Sequence, residues 1–180
     1  MNQVRWNSLV VWGLLVVGLG MAQAPAYPLE GRVIYRGSHA LASWEGVNTT
    51  ARGSLTWNTA NGALGGEICV QTAGFDSGIG LRDRDARELL EVEQFPRSCF
   101  RPSQLSQQGD QATVTGRLNL RGREREVKAV GRLIREGSTY RFVGSFGTRF
   151  TDWGMNPPNL IIFRVSDEVE VTLEARITRP

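Results

Sequence analysis

The last long segment of the chain sets Val165, Val169, Val171, Leu173, Ala175 and Ile177 against Glu168, Glu170, Thr172, Glu174 and Arg176. Apolar and charged residues alternating with a period of two describe a strand with one dry face and one wet face. The same pattern recurs upstream. Residues 49–57 place Gly53, Leu55 and Trp57 on one side. Residues 66–72 oppose Ile68 and Val70 to Glu67, Cys69 and Gln71, and residues 98–105 carry Phe100. Residues 113–120 align Val114, Gly116, Leu118 and Leu120, and residues 139–146 align Tyr140, Phe142, Gly144 and Phe146. Shorter runs at 33–35 and 40–44 and a mixed one at 126–135 complete the set. Asn-, Gly- and Asp-rich turns separate them at 58–62, 107–110, Arg121-Gly122-Arg123 and Gly137-Ser138.

The count comes to eight or nine strands joined mostly by short turns. Hairpin-linked strands with one apolar face build an antiparallel sheet, and closing that sheet removes its exposed edges. A two-sheet sandwich is the competing arrangement. The short turns and a single helical interruption favour an all-β, up-and-down antiparallel barrel of about eight strands, wide enough to hold a small ligand. The interruption is predicted over residues 84–93, which contain no Gly or Pro and few β-branched residues. Asp83 stands at the expected N-cap and Pro96 at the expected stop, and the helix is expected to cap one end of the barrel.

The first residues read as a cleaved secretory signal at 1–24. Arg5 supplies the positive charge, residues 9–19 the apolar core and Ala22-Gln23-Ala24 the cleavage site. The apolar stretch is shorter than the roughly 18–20 residues of a membrane span, and no second one follows. A linker is expected at 25–29 and the barrel domain at 30–180, exported to the periplasm or secreted, with no integral membrane segment after cleavage. The whole chain has 21 basic and 18 acidic residues, and cleavage removes Arg5, so the mature protein is close to neutral. Arg and Glu are interspersed, as at 121–128, which excludes the clustered basic footprint of a nucleic-acid binder. A homodimer is left open.

Candidate chemistry is sparse. His39 is the single histidine and no nucleophile motif accompanies it; with two cysteines it makes too few ligands for zinc. Asp83 and Asp85 alternate with Arg82 and Arg84, so neutralised pairs at a helix start compete with a carboxylate hydrolase that would need both acids free in an open cleft. Gly78-Ile79-Gly80 lacks the lysine of a phosphate-binding loop. No catalytic residue, metal or cofactor is therefore expected. Cys69 and Cys99 are a disulfide candidate, with two buried thiols as the alternative. Each lies on the face opposite its strand's apolar residues, so neighbouring strands would bring the sulfurs together outside the core. Aromatic residues are spread over many strands, filling a plain core or lining a cavity. The apolar loop 151–163 around Pro157-Pro158 is of the kind that forms a lid.

Three stretches in order resemble the YceI-like family of polyisoprenoid- or lipid-binding periplasmic proteins. They are Asp76-Ser77-Gly78 with Arg82-Asp83-Arg84-Asp85, Leu89-Leu90, Phe95-Pro96 and Phe100; then residues 118–127; then Gly154 to Pro158 with Val165-Ser166-Asp167-Glu168-Val169. Asp85 stands where the family has a histidine, and Ala86 where it has a bulky residue. The resemblance implies a lipocalin-like barrel whose tunnel holds a long isoprenoid or other long-chain lipid, without a catalytic step. On that reading Trp57, Ile68, Val70, Phe100, Val114, Leu118, Phe142, Phe146, Val169, Val171 and Leu173 line the interior. Leu90, Trp153 and Leu160 form a lid or mouth, and Arg82 meets a charged head group. The alternative is an envelope stress or scaffolding protein with a packed core and no ligand.

Overall fold

The computed structural model describes residues 25–158 and 164–179. Eight strands close into one antiparallel barrel: β1 (Ala26–His39), β2 (Ala42–Trp57), β3 (Leu64–Gln71), β4 (Arg97–Gln108), β5 (Gln111–Leu120), β6 (Arg123–Glu136), β7 (Thr139–Arg149) and β8 (Glu168–Thr178). Each pairs with its neighbours in the chain, and β8 returns to β1 through Leu29↔Ile177 to Arg36↔Glu170. One helix, α1 (Gly80–Leu90), lies between β3 and β4.

Residues 26–29, expected to be a linker, belong to β1, and Leu29 is part of the core. Pro28 precedes the first β8 partner, so its missing N–H costs nothing on that side. The runs at 40–44 and 49–57 are one strand. In β2 the register to β1 passes from Gly31↔Ala51 to Val33↔Asn48, so β2 carries one extra residue there. The bulge moves the inward positions from Ala51, Gly53 and Leu55 to Asn48, Gly46 and Trp44, which breaks the alternation that the sequence displays. Fully buried Asn48 closes the bulge. Its Oδ1 accepts from the Thr50 amide (2.9 Å) and hydroxyl (2.6 Å), and its Nδ2 donates to Gln71 O (2.7 Å).

The helix starts four residues earlier than expected and ends sooner. Ile79 is its N-cap, and Glu91, in the left-handed region at φ 49°, ends it five residues before Pro96. Asp83 is therefore not the cap. Its carboxylate, buried in the first turn, reaches back to accept from the Ser77 amide (2.8 Å) and hydroxyl (2.6 Å).

Gly131 of β6 and Gly144 of β7 face each other, and a Cβ on Gly131 would collide with Val143 O and Gly144 Cα. Only glycine lets the two strands cross this closely. The core fills the half of the barrel nearer the chain start, with Leu29, Leu55, Ile68, Leu105, Leu133, Phe142 and Ile177 at its centre. Cys69 and Cys99 are directly opposite on β3 and β4, with Cα atoms 4.1 Å apart, and form a disulfide.

Candidate functional site: the barrel interior and an opening in its wall

The strands deliver two spaces. The inner one is enclosed by sixteen residues, none charged; its only polar side-chain atoms belong to Tyr27 and Trp57. Six residues expected to line the interior do so: Trp57, Ile68, Phe100, Val114, Phe142 and Leu173. Its free volume is about 50 Å³. A cavity that accepts benzene is about three times larger, at ~150 Å³. The end nearest the chain start is stoppered by aromatic rings: Trp57 lies 6.1 Å from Tyr27 and 5.2 Å, edge-on, from Tyr140.

The second space is a cleft of about 1120 Å³ in the barrel wall. It exists because β6 and β7 pair only from Val130↔Ser145 to Glu136↔Thr139. Beyond that point β6 stays on β5 as far as Leu120↔Arg123, and β7 stays on β8 as far as Arg149↔Glu168. The facing edges of residues 126–129 and 146–149 are thus not bonded to each other. Phe146 and Val169, expected in the tunnel, line this cleft, as does Trp153, expected at the mouth. Trp153 is 1% exposed and donates from Nε1 to Thr148 Oγ1 at 2.9 Å, so it is a fixed wedge and not a surface flap. Val70, Leu118 and Val171 occupy inward register positions but line neither space. Leu90 is half-buried at the end of α1, and Leu160 lies outside the described residues.

The end far from the chain start is covered by α1 and the segment after β7. Arg121 donates from Nη1 to Gly154 O (2.7 Å) and is ion-paired to Glu91; Arg125 donates from Nε to Asp152 O (2.6 Å). The arginine-rich β5–β6 turn, whose Arg121 and Gly122 both have positive φ, thereby ties both covers to the wall. Asp167 accepts from the Thr151 amide (3.0 Å) and hydroxyl (2.7 Å), and these bonds hold its carboxyl below the usual range.

Arg82, expected to meet a head group, has its guanidinium 5.0 Å over the Trp44 ring. Below it, burial pushes the Tyr35 phenol up, with the Asp83 charge adding to the effect and Arg82 opposing it. The Ser77 hydroxyl, helped by the Ser77 amide, holds Asp83 below the usual carboxylate range against the opposing effect of burial. Asp85 is paired with Arg84 at 3.1 Å. The two carboxylates are therefore not a free pair in a cleft, and the hydrolase reading loses its geometry. The group Glu67, Cys69 and Cys99 has metal-ligand spacing, but its sulfurs are consumed by the disulfide. The wall opening has no signature in the sequence, because no residue pattern marks where a ladder stops.

A closed eight-stranded antiparallel barrel with an uncharged interior and capped ends has the architecture of a lipocalin-like barrel. Residues 28–177 match the model of the YceI-like domain, and the chain belongs to that family. It is 28% identical over 169 residues to a UPF0312 protein of Pseudomonas aeruginosa, covering 86% of this chain and 87% of that one. It is 29% identical over 137 residues to a UPF0312 protein of an Enterobacter species, covering 71% of each. Its fold is similar to that of BcnA from Burkholderia cenocepacia (TM-score 0.71, 18% identity, 81% of this chain and 95% of that one). It is also similar to a polyisoprenoid binding domain from Saccharophagus degradans (TM-score 0.69, 15% identity, 87% and 99%).

Proposed function

We propose that this protein binds a long apolar lipid of isoprenoid type inside the barrel, without chemical transformation, as an exported protein. The observation that carries the reading is the inner space itself, sixteen residues with no charge among them. Burial of each methylene there contributes about 0.8 kcal/mol. The description of the S. degradans domain as polyisoprenoid binding supports the same ligand class. With about 50 Å³ free, the interior admits a chain only if wall side chains swing aside. Phe100 of β4 and Phe142 of β7, the two phenylalanines that line it, are the side chains whose displacement would enlarge it most.

That small volume favours the second reading, a packed core that carries no ligand. Solvent extraction of protein purified under mild conditions, followed by lipid mass spectrometry, separates the two. A stoichiometric apolar molecule is expected; a ligand-free protein that takes up no added prenol would establish the packed-core reading. N-terminal sequencing of the exported protein is expected to begin at Pro25.

A further inference from the structure

We infer that the polar end of the bound lipid sits in the window between β6 and β7, and that the window selects a head group without net charge. The inference rests on the lipid-binding reading above. Both barrel ends are obstructed, one by the Trp57 ring cluster and the other by α1 and the Trp153 turn. The window has fixed boundaries. The Gly131–Gly144 crossing closes it on one side, and the Arg125–Asp152 bond pins the turn that closes it on the other. Between them the cleft reaches Phe146, which packs against the same core cluster that surrounds the inner space. A chain lying in the interior therefore has its shortest way out past Phe146, and its polar end comes to rest among the rim residues.

The rim is charged but balanced. Arg36 faces Glu170 at 3.4 Å and Arg125 faces Asp152 at 3.8 Å. Among the described residues Lys128, Glu126 and Glu168 make no ion pair within 4.0 Å, and Arg149 stands opposite Glu168 in the β7–β8 register with its charge also acting on Asp167. A diphosphate brought here would meet as many carboxylates as cations and would lose its hydration without a surplus of positive charge to replace it. An uncharged hydroxyl, carbonyl or amide gains from the same surroundings. Each accepts from Lys128 or Arg149 and from unbonded backbone N–H groups on the strand edges, and a hydroxyl or an amide N–H also donates to Glu126, Glu168 or an unbonded backbone carbonyl.

The test is a titration of the purified protein with farnesol and with farnesyl diphosphate, followed by tryptophan fluorescence. The wild type is expected to bind farnesol the more tightly. Glu126→Gln with Glu168→Gln leaves two surplus cations and is expected to raise the affinity for the diphosphate relative to farnesol by about tenfold. A wild type that prefers the diphosphate, or a ratio unmoved in the double variant, would overturn the inference. Gly147→Trp, placed where an added Cβ meets nothing within 4 Å, sets an indole at the rim and is expected to slow farnesol association at least ~5-fold with an unchanged circular dichroism spectrum. An unchanged rate would send the ligand in through an end and refute the window. Failure of the wild type to bind either ligand would instead reject lipid binding itself.

Discussion

Arg121 and Glu91 are the two non-glycine residues with positive φ among those described, at 54° and 49°, and they are ion-paired to each other. Each left-handed residue turns its chain sharply, Glu91 at the end of α1 and Arg121 at the β5–β6 turn, and the turn brings the side chains together. Arg121 then spends a second nitrogen on Gly154 O. One side chain thus connects the helix, the hairpin and the segment after β7 at a single end of the barrel.

The first prediction follows from that pair. Glu91→Ala loses the ion pair and keeps a Cβ in the left-handed region, whereas Glu91→Gly loses the pair but relieves the backbone. Alanine is expected to be the less stable of the two variants by about 1–2 kcal/mol in urea unfolding. Equal stabilities would show that the backbone at Glu91 is not under strain.

Asp83 links stability to acid. Its carboxyl is held below the ordinary value of 3.8, so the folded state favours the ionised form. The contribution is complete above that ordinary value and is lost as pH falls through it and into the depressed range. Asp83→Asn is expected to lower the Tm at pH 7 by roughly 3–6 °C, and the gap from wild type should narrow below about pH 4. A gap that does not change with pH would place the effect in packing and not in charge.

The disulfide closes a segment with a sequence separation of 30. The chain-entropy relation gives about 3–4 kcal/mol for a loop of that size. Cys69→Ser with Cys99→Ser is expected to lower stability by that order while leaving the far-UV circular dichroism unchanged, because the β3–β4 ladder is also bonded at Ile68↔Phe100 and Val70↔Ser98. Loss of strand signal in the double variant would mean that the bridge sets the register.

Phe142 is 4% exposed and projects into the inner space from β7. Truncation to alanine is expected to cost about 3–5 kcal/mol by the usual cavity penalty. The same change enlarges the apolar cavity, so a small apolar probe such as benzene should raise the Tm of Phe142→Ala and leave that of the wild type unmoved. No rise would indicate that the wall collapses to fill the space.

Much of this molecule is legible in its residues. The inward faces of β5, β7 and β8 follow directly from alternation, because a half-buried strand can satisfy its apolar residues in only one way. The same logic sets Cys69 and Cys99 opposite their strands' core positions. The pattern misleads where a local device interrupts the period. The extra residue near Asn48 makes β2 look like two runs, Pro28 makes the start of β1 look like a linker, and Asp83 looks like the cap of a helix that begins three residues before it, where its carboxylate is an acceptor for the preceding loop.

The sequence by itself determined the fold class and the apolar inward faces of the strands, since these depend on residue type and on a period of two. Only the tertiary structure decided that the lining encloses little free volume, that Arg82 is spent on Trp44, and that the wall opens between β6 and β7. Those features arise from how closely two glycine-bearing strands cross and how a turn wedges Trp153 beyond the crossing. Such distances are set by the closure of the whole barrel and are written in no single segment of the chain.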